Sequence, residues 1–372
     1  MKIIYFSPDY CTHDHRFLSA IRAAGHQVYH LRLQANLRQV EDRPVPEGVE
    51  IVQWAGGQRE FRWRDVPKLV ASLKRVIKRI KPDLIHAGPI QTAAFIAVLT
   101  GFRPVLTMSW GFDLMQDVNR GKWWGWVTGY VLKRSTYFTS DAMVTRDIAV
   151  EYGMNPENTV VFPWGVELEQ YTPRNWPAEA SGNGGAEGRD IPFTLFCNRS
   201  WEPRYGVDVL ARALVTVAGR HPGVRLLLLG GGSGAGRLRQ ILLQGGVLDI
   251  VHMPGQVSQT DLPRWYHKAD VYISPSHVDG SSVSLMEAMG CGLPCLVSDI
   301  PANKEWVTEG ENGWLFPDGD ADALAARISQ AIERRDELPA IGRAARAVAE
   351  ARADWSKNSQ KLVYAYEQAL RV

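Results

Sequence analysis

At 372 residues, 45% of them hydrophobic and 22% charged, the chain is long enough to bury two cores rather than one. A formal net charge of +2 argues against a nucleic-acid-coating protein or an acidic tail, so no nucleic-acid partner is expected. Cys11, Cys197, Cys291 and Cys295 have no paired C-x-x-C spacing, which argues against a disulfide framework or a cysteine zinc site. No uninterrupted apolar run reaches the roughly 18 residues of a membrane span, and the first residues open on a strand-like run. The expectation is a cytoplasmic protein.

In chain order, KIIYFS reads as a strand, HRFLSAIRAAGHQ as a helix closed by Gly25, and QVYHLRL as a second strand. PKLVASLKRVIKRIKP follows as a helix, DLIHAG as a strand, PIQTAAFIAVLTG as a helix and PVLTMSWG as a strand. DAMVTR reads as a further strand after a Trp-rich helical stretch. Continuous apolar strands of this kind suit a parallel sheet covered on both faces. Between Tyr171 and Asp190 the sequence turns to Gly, Pro and small polar residues without packing periodicity, which places a linker at 171–190. The alternation restarts with PFTLFCNR, VRLLLLG, DIVHMPG, VYISPS and LPCLVSD as strands. The final stretch carries Leu362, Val363, Tyr366 and Leu370 at helical spacing and is expected to pack back across the domain junction. The predicted fold class is α/β, with two doubly wound Rossmann-like domains at 1–170 and 191–354 and a C-terminal helix at 355–372.

The most informative stretch is VYISPSHVDGSSVSLMEAMGCGLPCLVSD. Asp279 falls in the loop after a strand, and Glu287 falls inside a helix that begins near Ser282. A helix start offers unpaired N–H donors and partial positive charge to a diphosphate, and Gly280, Ser281, Ser282 and Val283 leave that start accessible. A carboxylate suits paired sugar hydroxyls. Asp279, seven residues, Glu287-Ala288, then Gly292-Leu293-Pro294 resembles the signature of glycosyltransferase family 4, as does the later run Gly310 to Leu315. The resemblance implies a GT-B fold, with the two domains facing a central cleft, and retaining sugar transfer from a nucleotide-sugar donor. It also implies that Asp279 contacts the transferred sugar and Glu287 the nucleotide ribose. The alternative for these two residues is a turn former and a solvated helix residue.

FCNRSWEPRYGVDVL resembles the family's diphosphate-binding stretch, an Arg followed six residues later by Lys and Gly; Arg199 matches, and Tyr205 stands where Lys is usual. A guanidinium binds a diphosphate bidentately, so Arg199 is expected to stabilise the leaving nucleotide, with Arg204 as a substitute for the missing Lys. Gly230, Gly232 and Ala235 fit a dinucleotide fingerprint, but the next strand lacks the expected acid. The glycines, Gly231 among them, read either as a loop that lets the donor approach the backbone or as a tight structural turn, and the resemblance implies Gly255 and Val257 near the base. Asp318-Gly319-Asp320 precedes a helix and reads as a cap, so metal-free chemistry without a cofactor is expected.

In the first domain, His13, Asp14 and Arg16 follow the first strand, where they either contact an acceptor or cap and pack the next helix. His86 occupies the first His of the family's D-x-x-H stretch, Trp110 stands where a sugar-contacting His is common, and Asp113 is a further cleft candidate or a buried cap. From Arg59 to Lys81 nine Lys or Arg stand against Glu60 and Asp65, and Leu69, Leu73, Val76 and Ile80 form an apolar stripe. With Trp123, Trp124 and Trp126 this pattern suits either peripheral contact with an anionic membrane at the inner face of the cell membrane, or an ordinary surface helix whose stripe packs on the sheet, with the tryptophans in the core or an acceptor groove. A saccharide or lipid-linked acceptor is expected. The rival readings are a noncatalytic nucleotide-sugar-binding subunit and a GT-B epimerase or phosphorylase.

Overall fold

A computed structural model describes residues 1–34, 41–176 and 192–372. They fall into two units, one of Met1–Trp164 with Ser356–Val372 and the other of Gly165–Trp355.

The first unit runs β1 (Lys2–Ser7), α1 (Thr12–Ala23), β2 (Gln27–Arg32), β3 (Val49–Ile51), α2 (Val66–Ile80), β4 (Leu84–Ala87) and α3 (Phe95–Leu99). It continues with β5 (Val105–Met108), α4 (Phe112–Met115), α5 (Lys122–Leu132), β6 (Tyr137–Ser140), α6 (Met143–Glu151) and β7 (Thr159–Val161). The strands pair in parallel in the order β3-β2-β1-β4-β5-β6-β7. Lys2 lies opposite Gln27 on one side of β1, and Ile3 opposite Leu84 on the other. The chain steps outward to β2 and β3 and then returns to β4, so the strand order switches direction between β1 and β4. Ile3, Ile4, Tyr5 and Phe6 are all buried, as expected of a strand with both faces covered.

The second unit runs β8 (Phe193–Cys197), α7 (Val207–Arg220), β9 (Val224–Leu229), α8 (Ala235–Gln244), β10 (Val251–Gly255), α9 (Leu262–Tyr266) and β11 (Val271–Ser274). Then come α10 (Val283–Gly290), β12 (Cys295–Ser298), α11 (Pro301–Lys304), β13 (Gly313–Phe316), α12 (Ala321–Glu333) and α13 (Leu338–Arg352). Its parallel order, β10-β9-β8-β11-β12-β13, switches between β8 and β11. Alternate residues of β8 supply two cores: Phe193, Leu195 and Cys197 pack with Leu214 and Ile328, while Phe196 packs with Tyr266 and Leu285. The last helix, α14 (Trp355–Ala369), contributes residues from Ser356 onward to the first unit, where Leu362 and Tyr366 are buried.

Three sequence expectations change. DAMVTR is not a strand: the strand is the preceding run Tyr137–Ser140, bonded to β5 and β7, and Met143 begins α6. The TYFTS run carries the β-branched and aromatic residues that favour a strand, whereas the polar Asp141, Thr145 and Arg146 of the following run suit the turn and the helix that begins at Met143. The apolar stripe of α2 faces inward, with Leu69, Leu73, Val76 and Ile80 all buried in the core of the first unit, so it offers no membrane-facing surface. Within the predicted linker, 177–190 lie outside the described residues, while 171–176 are fixed to the second unit. Tyr171 is buried there, the Arg174 N–H donates to the Cys291 carbonyl at 2.9 Å, and the Arg174 side chain pairs with Asp270 at 3.5 Å.

Candidate donor site and its surroundings

The carboxyl ends of β8 and β11 lie at the switch point of the second sheet, where the two following loops diverge and leave room for a ligand. The loop after β8 carries Arg199; the loop after β11 carries Asp279 and leads into α10. The two loops are tied together. Gly206 has φ +58°, and a Cβ there would stand 2.0 Å from the Pro275 carbonyl oxygen, so only glycine allows this approach. Beside it, the His277 N–H donates to the Arg204 carbonyl at 2.9 Å.

The loops converge on the Arg199 side chain, which is 11% exposed. Its Nη2 lies 2.6 Å from Asp279 Oδ2, and its Nη1 donates to Ser282 Oγ at 2.8 Å and to Ser284 Oγ at 2.9 Å. The guanidinium carbon stands 4.4 Å from the centroid of the Tyr205 ring. Nε has no hydrogen-bond partner among the described residues, which leaves a buried donor in the site. Burial disfavours the charged guanidinium, but Asp279 outweighs it and keeps Arg199 protonated beyond the ordinary arginine range. Burial lifts the Asp279 carboxyl above its usual value, with Arg199, Ser282 and the Gly280 N–H opposing it.

Ser282 occupies the N-cap position of α10, yet its hydroxyl is directed to Arg199 and makes no capping bond to the helix. Ser281 accepts from the Trp306 indole N–H at 3.1 Å; Gly280 and Ser281 are buried, and Val283 is partly so. Glu287 lies one helical turn further, buried, accepting from the Tyr171 hydroxyl at 2.9 Å and the Tyr266 hydroxyl at 2.8 Å. It is not a solvated helix residue. The Tyr272 hydroxyl donates to Ser284 at 2.7 Å, so Tyr266 and Tyr272 brace both ends of this acidic segment. Neither tyrosine stands out in the sequence: Tyr272 sits in an apolar strand run, and Tyr266 in a short mixed helix where nothing marks its hydroxyl.

Arg204 contributes its backbone to the contact between the loops and is partly exposed. Gly231 accepts from the Trp201 N–H at 2.9 Å, and a Cβ on it would meet open space, whereas one on Gly232 would strike the Trp201 backbone at 2.5 Å. Val257 is partly buried against the core that holds Glu287's two tyrosines. Asp320 caps α12 through the Ala323 N–H at 2.9 Å, while Asp318 lies 2.6 Å from His277 Nδ1. Among the described residues no three His, Cys, Asp or Glu side chains gather as a metal would require.

In the first unit the candidates separate. Asp14 caps α1, accepting from the Cys11 N–H at 2.8 Å, and burial raises its carboxyl to about 6. Arg16 is buried. The His13 ring meets Trp164 edge-on at 4.5 Å and lies 5.9 Å from Trp110. Asp113 is buried and organises its loop, accepting from Ile90 N and Trp110 N at 3.0 Å, Ser109 Oγ at 2.7 Å and Leu114 N at 3.1 Å. Burial pushes Asp113 up to about 6 against those donors. His86 is fully buried, its Nδ1 2.8 Å from the Tyr366 hydroxyl of α14, and burial lowers it to about 3. The D-x-x-H histidine is therefore a neutral core residue joining the sheet to the last helix. His13 and Trp110 form an aromatic group near the carboxyl end of β1, whereas Asp14 caps α1, Asp113 holds its loop, His86 joins the core and Arg16 is buried.

Residues 188–361 match the family model for glycosyl transferases group 1, and residues 2–142 match the model for glycosyl transferase 4-like proteins. The chain belongs to these family-4-like glycosyltransferases and has their two-sheet GT-B type of fold. A D-inositol 3-phosphate glycosyltransferase of Thermomonospora curvata is 30% identical over 245 residues, covering 60% of this chain and 54% of that protein. A phosphatidyl-myo-inositol mannosyltransferase of Mycobacterium leprae is 36% identical over 175 residues, covering 46% of each. The chain spans about half the length of the curated relatives it matches. Among solved structures, sucrose-phosphate synthase of Thermosynechococcus elongatus superposes with a TM-score of 0.81 at 19% identity, covering 100% of both chains. Anabaena HepE in complex with UDP-glucose gives 0.78 at 20% identity, covering 99% of both. At these identities the structures establish the fold. No described helix is long and apolar enough to cross a membrane.

Proposed function

We propose that this chain transfers a hexose-type sugar from a nucleotide-sugar donor, UDP- or GDP-linked, to a saccharide or lipid-linked acceptor, with retention at the anomeric carbon and without a metal. The observation that carries the proposal is the convergence of Arg199, Asp279 and the start of α10 at the switch point of the second sheet. A buried guanidinium with an unpartnered Nε, beside the first turn of a helix, is built to receive a diphosphate. In the reaction the bond from the anomeric carbon to the diphosphate oxygen breaks, and a bond from the acceptor oxygen forms on the same face. The acceptor's proton passes to the departing diphosphate. Arg199 and the α10 N–H groups stabilise the negative charge that develops there, which makes fixed electrostatics the main contribution of the protein.

HepE was crystallised with UDP-glucose, and two relatives are named for inositol-containing compounds, which supports a UDP donor and a polyol or lipid-linked acceptor. The test is transfer in the presence of a chelator, from UDP- and GDP-hexoses to soluble saccharides and to lipid-linked saccharides, with the anomeric coupling of the product read by NMR. Retained configuration with undiminished rate supports the proposal; an inverted product, or activity only on adding a divalent metal, overturns that part of it.

A further inference from the structure

The inward side of α5 is set by Val127, Thr128, Val131 and Leu132, all buried, and this turns Trp123 and Trp126 outward. Both are 53% exposed, and their rings stack at 5.1 Å and 24°. They are the only exposed tryptophans among the described residues. Single exposed apolar side chains are common, but two adjoining indoles form a patch that water alone does not favour. The patch continues through Tyr130, 5.3 Å from Trp126, whose ring carries the Arg134 guanidinium at 3.9 Å. On its other side the Trp63 ring meets Trp123 at 6.0 Å.

Trp63 opens the turn Trp63–Asp65 that runs directly into α2, so the aromatic patch adjoins that helix. With its apolar stripe buried, α2 shows solvent its cations: Lys68, Lys74, Arg75, Lys78 and Arg79 are exposed, and none has an acidic partner among the described residues. Arg75 and Arg79 also line, with Gln53 and Ser72, a recess of about 430 Å³, roomy enough for a phosphate-ester headgroup.

We infer that this face of the first unit docks on an anionic lipid bilayer, with Trp123 and Trp126 at headgroup level and the α2 cations on the lipid phosphates. Indoles favour that level because one edge is apolar and the other carries an N–H, and basic side chains near the surface add an attraction that falls off within a screening length. A second copy of the chain is disfavoured as the occupant, because two such faces would bring unpaired cations together. A soluble saccharide stacked on the indoles would leave the α2 cations without a counterpart. Docking is read with no donor present, so it stands or falls separately from sugar transfer.

The experiment is sedimentation of the full chain with vesicles of phosphatidylcholine alone, or with about a third phosphatidylglycerol. Binding is expected on the anionic vesicles only, lost as salt rises towards about 1 M, where the screening length is about 3 Å. The pair Trp123→Ser with Trp126→Ser, and the set Lys74→Gln, Arg75→Gln, Lys78→Gln and Arg79→Gln, each lower partitioning at least about tenfold with the melting temperature unchanged. Absence of binding at low salt, equal binding to both vesicles, or full binding by both variants overturns the inference. A dimer in solution that the tryptophan pair abolishes, without vesicle binding, assigns the face to a second copy instead.

Discussion

The guanidinium of Arg199 lies against the ring of Tyr205, 4.4 Å from its centroid, so the residue at the position where the family resemblance implies a lysine supports the remaining cation instead of adding a second one. The ring limits the guanidinium to one plane, which points Nη2 at Asp279 and Nη1 at Ser282 and Ser284. Tyr205→Phe keeps the ring and is expected to hold kcat/KM within about threefold. Tyr205→Leu lowers it about tenfold, the range of a partly buried cation–π contact. Steady-state kinetics on the two variants separates ring from hydroxyl; equal loss in both shows that the hydroxyl, not the stacking, matters.

In the proposed reaction Arg199 faces the departing diphosphate, so Arg199→Ala is expected to lower kcat about 100- to 1,000-fold. Arg199→Lys recovers little of it, because one ammonium cannot span Asp279 and both serines as the two guanidinium Nη groups do. Circular dichroism and a melting curve on each variant establish that the loss is chemical. A lysine variant with near-parental kcat would show that charge alone suffices.

Glu287→Gln changes stability as well as donor use. Both carboxylate oxygens accept tyrosine hydroxyls, and an amide accepts on only one side; Tyr266 also has the Ser284 carbonyl at 3.0 Å, so the amide nitrogen falls to Tyr171, whose hydroxyl loses Glu287 as its acceptor. A loss of about 1–3 kcal/mol in unfolding free energy is expected, measured by denaturant titration. Adding Tyr171→Phe removes the Tyr171 hydroxyl, so part of the stability, but not the activity, should return. No recovery in the double variant would place the defect elsewhere.

His86 gives the first unit a pH dependence of known sign. Its value falls from an ordinary 6.5 to about 3, so as pH drops below 6.5 the unfolded chain takes up a proton that the folded chain refuses. The neutral core histidine thus contributes stability that is complete above pH 6.5 and is lost towards pH 3, at about 1.4 kcal/mol per pH unit. His86→Phe melts lower than the parent at pH 7, through loss of the Tyr366 hydrogen bond, and the gap narrows as pH falls to about 5. A constant gap contradicts a neutral, buried His86.

The alternation of apolar runs gave both sheets because interior parallel strands are buried on both faces, as Ile3 to Phe6 are. The short edge strands Val49–Ile51 and Thr159–Val161 carry too few residues to show a pattern. Arg199, Asp279 and Ser282 were legible because each sits in a loop after a strand and within a stretch that resembles the family's motifs. Tyr171 and Tyr266 were not, because a buried tyrosine looks like core until the partner of its hydroxyl is seen. The α2 stripe shows the reverse case: an amphipathic period says that one face is covered, and only the fold shows that the sheet covers it.

The most direct measurement is thermal shift of the parent chain and of Arg199→Ala against UDP-, GDP-, ADP- and dTDP-sugars in chelator, followed by nucleotide release from the best donor. The account predicts that one donor class stabilises the parent, is slowly hydrolysed by it, and does neither with Arg199→Ala. Silence of the parent across the panel, or equal stabilisation and hydrolysis by the variant, contradicts a donor site built on Arg199.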